Sequence, residues 1–127
     1  MILLDSHIAL ATLGLVDITL TPAMRHELDQ PSGICVSVAS VWELAIKYRL
    51  GKLRFGVPAD HIPDLLERLN IQVLPVQAYH AFANVGPEPT TKDPFDRLLL
   101  GVCASENMKL MTFDKDLVGH PLAWREN

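Results

Sequence analysis

The chain has 127 residues, 49% of them hydrophobic, which is enough apolar surface for one core and too little length for a second domain. Its 11 basic and 15 acidic residues give a formal charge of −4, so net positive charge cannot be what draws it to a polyanion. Cys35 and Cys103 lie far apart inside apolar runs, without the spacing of a zinc or redox pair, and are expected to be buried thiols.

Met1 to Leu4 reads as a short buried strand closed by Asp5 and followed by a helix through about Leu15. No cationic region precedes this apolar start and Asp5 interrupts it, so neither a leader nor a spanning helix is expected, and the reducing cytoplasm is the expected compartment. Thr21-Pro22 predicts an N-cap and first helical residue, opening a helix to about Asp29 before a break at Pro31-Ser32-Gly33. Ile34 to Val38 is a second strand. From Ser40 a helix runs to Leu50, stopped by Gly51. Leu65, Leu66 and Leu69 mark a further helix, Ile71 to Val76 a third strand, and Gln77 to Val85 another helical stretch. Pro87 and Pro89 make 86–92 a loop. Pro94 to Asn107 is a helix apolar nearly all round, and Lys109 to Phe113 is the last core strand. Alternating short strands and helices imply an α/β fold, a mostly parallel central sheet with helices on both faces, formed by one domain over residues 1–127. Sites in such sheets form beyond the carboxyl ends of the strands.

That edge is where the acids collect. Asp5 follows the first strand, Asp114 the last, Asp93 and Asp96 open the buried helix, and Glu43 is expected in the first turn after the second strand. Each has a local explanation: Ser40 and Glu43 fit a capping box, Glu43 and Lys47 an i,i+4 ion pair, and Asp93 an N-cap with Asp96 favoured by the helix dipole. Their joint placement has none. Two unit charges about 4 Å apart repel by roughly 4 kcal/mol at an effective dielectric near 20, so four clustered carboxylates call for a cation. Carboxylates and water are the ligands hard Mg²⁺ prefers, commonly shared with substrate phosphate. With four of the 15 acids so committed, 11 remain against the 11 basic residues.

Four segments in order carry a family resemblance: Leu3-Leu4-Asp5-Ser6-His7; Ser40-Val41-Trp42-Glu43-Leu44-Ala45-Ile46-Lys47 with Leu50-Gly51-Lys52-Leu53; Asp93-Pro94-Phe95-Asp96-Arg97-Leu98-Leu99; and Met111-Thr112-Phe113-Asp114. Together they resemble the PIN-domain nucleases, and among them the VapC-like toxins of bacterial toxin–antitoxin pairs, over most of the chain. The resemblance implies a PIN-like fold and an endoribonuclease dependent on Mg²⁺ or Mn²⁺. It implies metal-binding or catalytic acids at Asp5, Glu43, Asp96 and Asp114, with Ser6 and Thr112 as polar supports. Asp93 is then a supporting or alternative ligand, and Asp116 is spaced to take the role given to Asp114. Asp5 and Asp96 would hold the principal ion, with Glu43 and Asp114 completing the site or binding a second one. Cleavage would leave 5′-phosphate and 3′-hydroxyl ends.

RNA also needs cationic contacts, for which Lys47, Arg49, Lys52, Arg54, Lys92 and Arg97 are candidates, Arg97 foremost because it adjoins Asp96. The resemblance further implies a cognate antitoxin lying in a groove, for which Trp42, Leu50, Leu53 and Phe55 are candidates against a reading as ordinary core, and a homodimer. Two alternatives stand beside the nuclease. A Mg²⁺-dependent phosphatase or phosphotransferase is disfavoured because Asp5-Ser6-His7 lacks the second aspartate of phosphoaspartate enzymes and no phosphate-binding glycine loop is present. A non-catalytic module would use the acidic pocket to receive a partner's arginine.

Overall fold

Each short apolar run between helices forms a strand: β1 (Ile2–Leu4), β2 (Ile34–Ser37), β3 (Gln72–Leu74) and β4 (Lys109–Met111). The computed structural model describes residues 1–30 and 33–126; Pro31 and Ser32 of the expected break lie outside the described residues. The strands order as β3-β2-β1-β4, and every pairing is parallel. Successive strand residues point to opposite faces, and the core divides accordingly. Ile2, Leu4, Ile34, Val36 and Met111 join one apolar cluster, while Leu3, Cys35 and Leu110 join the other. Burial on both sides explains why the strands read as continuous apolar runs. Cys35 and Cys103 are buried free thiols.

The helices are α1 (Ser6–Thr12), α2 (Pro22–Leu28), α3 (Val38–Arg49), α4 (Ile62–Arg68, entered through one 3₁₀ turn), α5 (Ala78–Phe82) and α6 (Pro94–Glu106). Several are shorter than the apolar pattern suggests, and the stops have identifiable causes. Gly14, at φ +72°, ends α1 before Leu15. Pro75, without an N–H, limits β3. Ala83 turns extended and closes α5 well before Val85. At the end of α6, Asn107 takes the left-handed conformation and its N–H returns to the Cys103 carbonyl.

The start of α3 differs from expectation in a way that matters for the site. Ser37, the last residue of β2, caps the helix by accepting from Ala39 N–H, so strand passes into helix without a loop. Ser40 is thereby an interior helical residue, fully buried, its hydroxyl without a hydrogen-bond partner among the described residues. Glu43 consequently lies in the second turn, and no capping box forms. Beyond β4, Leu110 N–H donates to the Leu122 carbonyl and Trp124 N–H donates to the Leu110 carbonyl, covering the edge that would otherwise be open to pairing. No helix among the described residues is long and apolar enough to cross a membrane.

Candidate active site

At the carboxyl edge of the sheet a cavity of about 380 Å³ is lined by Asp5, Ser6, His7, Ile18, Glu43, Lys47, Asp93, Asp96, Leu99, Phe113 and Asp114. Asp5 enters it from the end of β1, where its carboxylate caps α1 by accepting from Ile8 N–H at 2.9 Å. Asp114 enters from beyond β4; its N–H donates to Thr112 Oγ1 at 3.0 Å. Glu43 reaches in from α3, and Asp93 and Asp96 from the start of α6. Strands β1 and β4 are hydrogen-bonded neighbours and α3 packs against α6, so topology brings four distant segments to one place.

Hydrogen bonds fix most of these acids. The Ser6 hydroxyl donates to Glu43 Oε1 at 2.7 Å, and the Lys47 ammonium lies 3.3 Å from Glu43 Oε2. Asp93 caps α6, accepting from the N–H groups of Phe95 and Asp96. Asp96 is the least restrained: its one side-chain partner among the described residues is Thr91 Oγ1, at 3.5 Å. Thr91 also accepts from Asp93 N–H at 3.1 Å, tying the preceding loop to the helix start. The polar turn Thr91-Lys92-Asp93 ahead of a capped helix is the sequence signal for this role, which the motif reading passes over.

Electrostatics follow from the crowding. Burial pushes the Asp5 carboxyl above the usual range and Glu43 adds to this, while the Thr112 hydroxyl, Ile8 N–H and His7 oppose it. Asp96 is pushed up to about 7, first by burial and then by Asp93, Asp114, Glu43 and Asp5. Such a carboxyl exchanges its proton for a cation readily. Among the described residues no three carboxylates, imidazoles or thiolates are grouped closely enough to hold a metal ion between them. The arrangement is an open one, with room for water or a phosphate among the ligands.

Other sequence candidates are placed differently. Asp116 is exposed and outside the cavity, and its N–H donates to Asp114 Oδ1 at 2.8 Å. Arg97 turns away from Asp96: its guanidinium pairs with Glu88 at 2.9 Å and donates to the Ala83 carbonyl, holding the 83–88 segment against α6. Lys47 is the cationic candidate that lines the cavity, and His7 lines it as an exposed residue. A separate, largely apolar cavity of about 500 Å³ opens between α3 and residues 58–63, lined by Val41, Leu44, Ala45, Tyr48, Pro58 and Ile62 among others. None of Trp42, Leu50, Leu53 or Phe55 lines it. Trp42 and Leu50 are exposed, while Leu53 and Phe55 pack half-buried on the core.

Two comparisons bear on this geometry. The family profile described as PIN domain matches residues 2–120. Ribonuclease VapC16 of Mycobacterium tuberculosis (strain ATCC 25618 / H37Rv) is 40% identical over 65 residues, which cover 50% of this chain and 46% of that protein. The match therefore spans about half the length of that relative.

Proposed function

The chain belongs to the PIN domain family, and from that premise we propose that it is a Mg²⁺- or Mn²⁺-dependent endoribonuclease, the toxin of a toxin–antitoxin pair that acts in the cytoplasm. The observation that carries the reading is the convergence of Asp5, Glu43, Asp96 and Asp114 on one open cavity, with Asp96 raised to about 7. All-oxygen donors, an incomplete shell and unneutralised charge suit a hard divalent ion that keeps water or substrate ligands. The partial likeness to a ribonuclease supports RNA as the substrate.

Asp5 and Asp96 would hold the principal ion, with Asp114 and Glu43 completing its surroundings. An ion held there would supply Lewis-acid activation of water for in-line attack and charge stabilisation at the leaving 3′-oxygen. The chain's own contribution is positioning. Ile8 N–H orients the Asp5 carboxylate, Ser6 fixes Glu43, and Thr112 supports both Asp5 and the turn that carries Asp114. Asp93 rigidifies the turn that presents Asp96. Products carry 5′-phosphate and 3′-hydroxyl ends.

An antitoxin partner and a homodimer belong to the same proposal. The apolar cavity beside α3 is suited to a partner's apolar segment, with Arg49 and Asp60 at its lining for polar contacts, and exposed Val38 and Trp42 offer apolar area for a second copy. The test is incubation of the partner-free protein with total RNA in Mg²⁺, Mn²⁺ or EDTA beside Asp5→Asn, with the product ends mapped. Discrete metal-dependent cleavage that the variant lacks is the expected result. Intact RNA throughout, with no rise in melting temperature on adding Mn²⁺, would turn the reading to a partner-binding module.

A further inference from the structure

The cavity lining carries five carboxylates, those of Asp5, Glu43, Asp93, Asp96 and Asp114, and one lysine, Lys47. Charge is not evenly balanced across it. Both oxygens of Glu43 are engaged by the chain itself, Oε1 by the Ser6 hydroxyl at 2.7 Å and Oε2 by the Lys47 ammonium at 3.3 Å. Asp96 has the Thr91 hydroxyl at 3.5 Å, too long for a strong bond, and among the described residues no cation pairs with it or with Asp5, Asp93 or Asp114. The Glu43 side of the cavity thus already holds a cation, and the Asp96 side does not.

The Lys47–Glu43 pair also differs from an ordinary i,i+4 pair on a helix surface. Glu43 is buried, its side chain 10% exposed, and Lys47, 33% exposed, lines the cavity beside it. In sites that use two divalent ions, the second ion neutralises charge on the phosphate and its leaving oxygen. A lysine is a compact cation with rotatable donors on a flexible stem, able to do this without a ligand set of its own.

Building on the nuclease reading above, we propose that Lys47 is the second cation of this site: the chain binds one divalent ion, on the Asp5–Asp96 side, and Lys47 is a catalytic residue that moves from Glu43 to an oxygen of the scissile phosphate when RNA enters. The reaction it assists is hydrolysis. A water oxygen bonds to phosphorus, the P–O3′ bond breaks with its electron pair left on O3′, the water gives a proton to solvent, and O3′ takes one up. Lys47 donates a hydrogen bond throughout and keeps its proton. Glu43 holds the ammonium at the site between turnovers, and Ser6 holds Glu43.

The experiment counts bound Mn²⁺ per chain by electron paramagnetic resonance titration of the full chain, for the natural protein, Lys47→Arg and Lys47→Gln, and measures single-turnover RNA cleavage on the same samples. One ion per chain is expected for the natural protein and for Lys47→Arg. Lys47→Gln frees Glu43 and is expected to take up a second, weaker ion, while cleavage falls roughly 10²-fold, the order seen when one donor to developing charge is removed. Lys47→Arg should recover most of the rate. Two ions on the natural protein, or an unchanged rate and count in Lys47→Gln, would overturn the role of Lys47 and leave the nuclease reading intact. No bound ion on the natural protein would overturn the nuclease reading itself.

Discussion

The two ends of α6 hold carboxylates in opposite conditions. At its N-terminus, where the helix dipole favours an anion, Asp96 is pushed up to about 7 because burial and four neighbouring acids outweigh the dipole. At its C-terminus, where the dipole opposes an anion, Glu106 is held below the usual carboxylate range, chiefly by His80 and then by Tyr79. The His80 ring Nε2 lies 2.7 Å from Glu106 Oε2, and Tyr79 donates to the same oxygen at 2.9 Å. Gln77 N–H occupies His80 Nδ1, which puts the ring proton on Nε2, facing Glu106. Burial and neighbouring acids at one end and directed donors at the other decide these carboxyls; the dipole does not. One end of the helix is a closed seam, and the other is left short of positive charge.

The largest effect expected of that contrast is on activity. Asp96→Asn should fold and lose cleavage by at least about 10³-fold, roughly 4 kcal/mol of barrier, whereas Glu106→Gln should cleave at the natural rate; single-turnover kinetics on both variants would break the comparison if Glu106→Gln were also inactive. Next comes packing in the seam. A Cβ at Gly101 would collide with the His80 carbonyl, so Gly101→Ala should destabilise by about 3 kcal/mol, read by urea unfolding. His80→Ala removes a buried ring and leaves the Gln77 N–H unpaired, for about 2 kcal/mol by the same assay. A loss under about 0.5 kcal/mol in both would show that the seam is not what holds α5 to α6.

The smallest effect, and the most specific, is the dependence of stability on pH. Asp96 carries a raised carboxyl, so the folded metal-free chain binds more protons than the unfolded chain between about 4 and 7. Its contribution is present below that window and is lost as pH rises through about 7. Glu106 is lowered, so its contribution is present above the ordinary glutamate range and is lost as pH falls through the folded value. Metal-free Asp96→Asn should flatten the fall in melting temperature between pH 5 and pH 8, while Glu106→Gln should alter only the acidic limb.

Much of this was legible in the sequence because the fold writes it locally. Asp5 and Asp114 each close a short apolar run, and Asp93-Pro94 is a helix start by capping chemistry alone, so the strands and the acidic edge follow from spacing, while the order of strands in the sheet does not. The parallel sheet follows from the alternation of runs and helices. The hidden features depend on groups distant in sequence. Ser40, three residues before Glu43, reads as the cap, yet Ser37 at the end of β2 takes that place. Arg97 adjoins Asp96 in sequence, yet a helical step of one residue turns it about 100° away, to Glu88 and Ala83. That Ser6 and Lys47 divide the two oxygens of Glu43 is a tertiary fact, visible only once α1 and α3 are side by side.

The most direct test of the central claim, that the cavity acids are arranged to receive a divalent cation, is the melting temperature of the natural chain and of Asp96→Asn at pH 8, metal-free and with saturating Mn²⁺. The account predicts a rise of roughly 10 °C for the natural chain at about 100 times the Kd of the ion, and little or none for Asp96→Asn, which should already melt higher without metal. An unchanged natural chain, or an equal rise in both proteins, would contradict it.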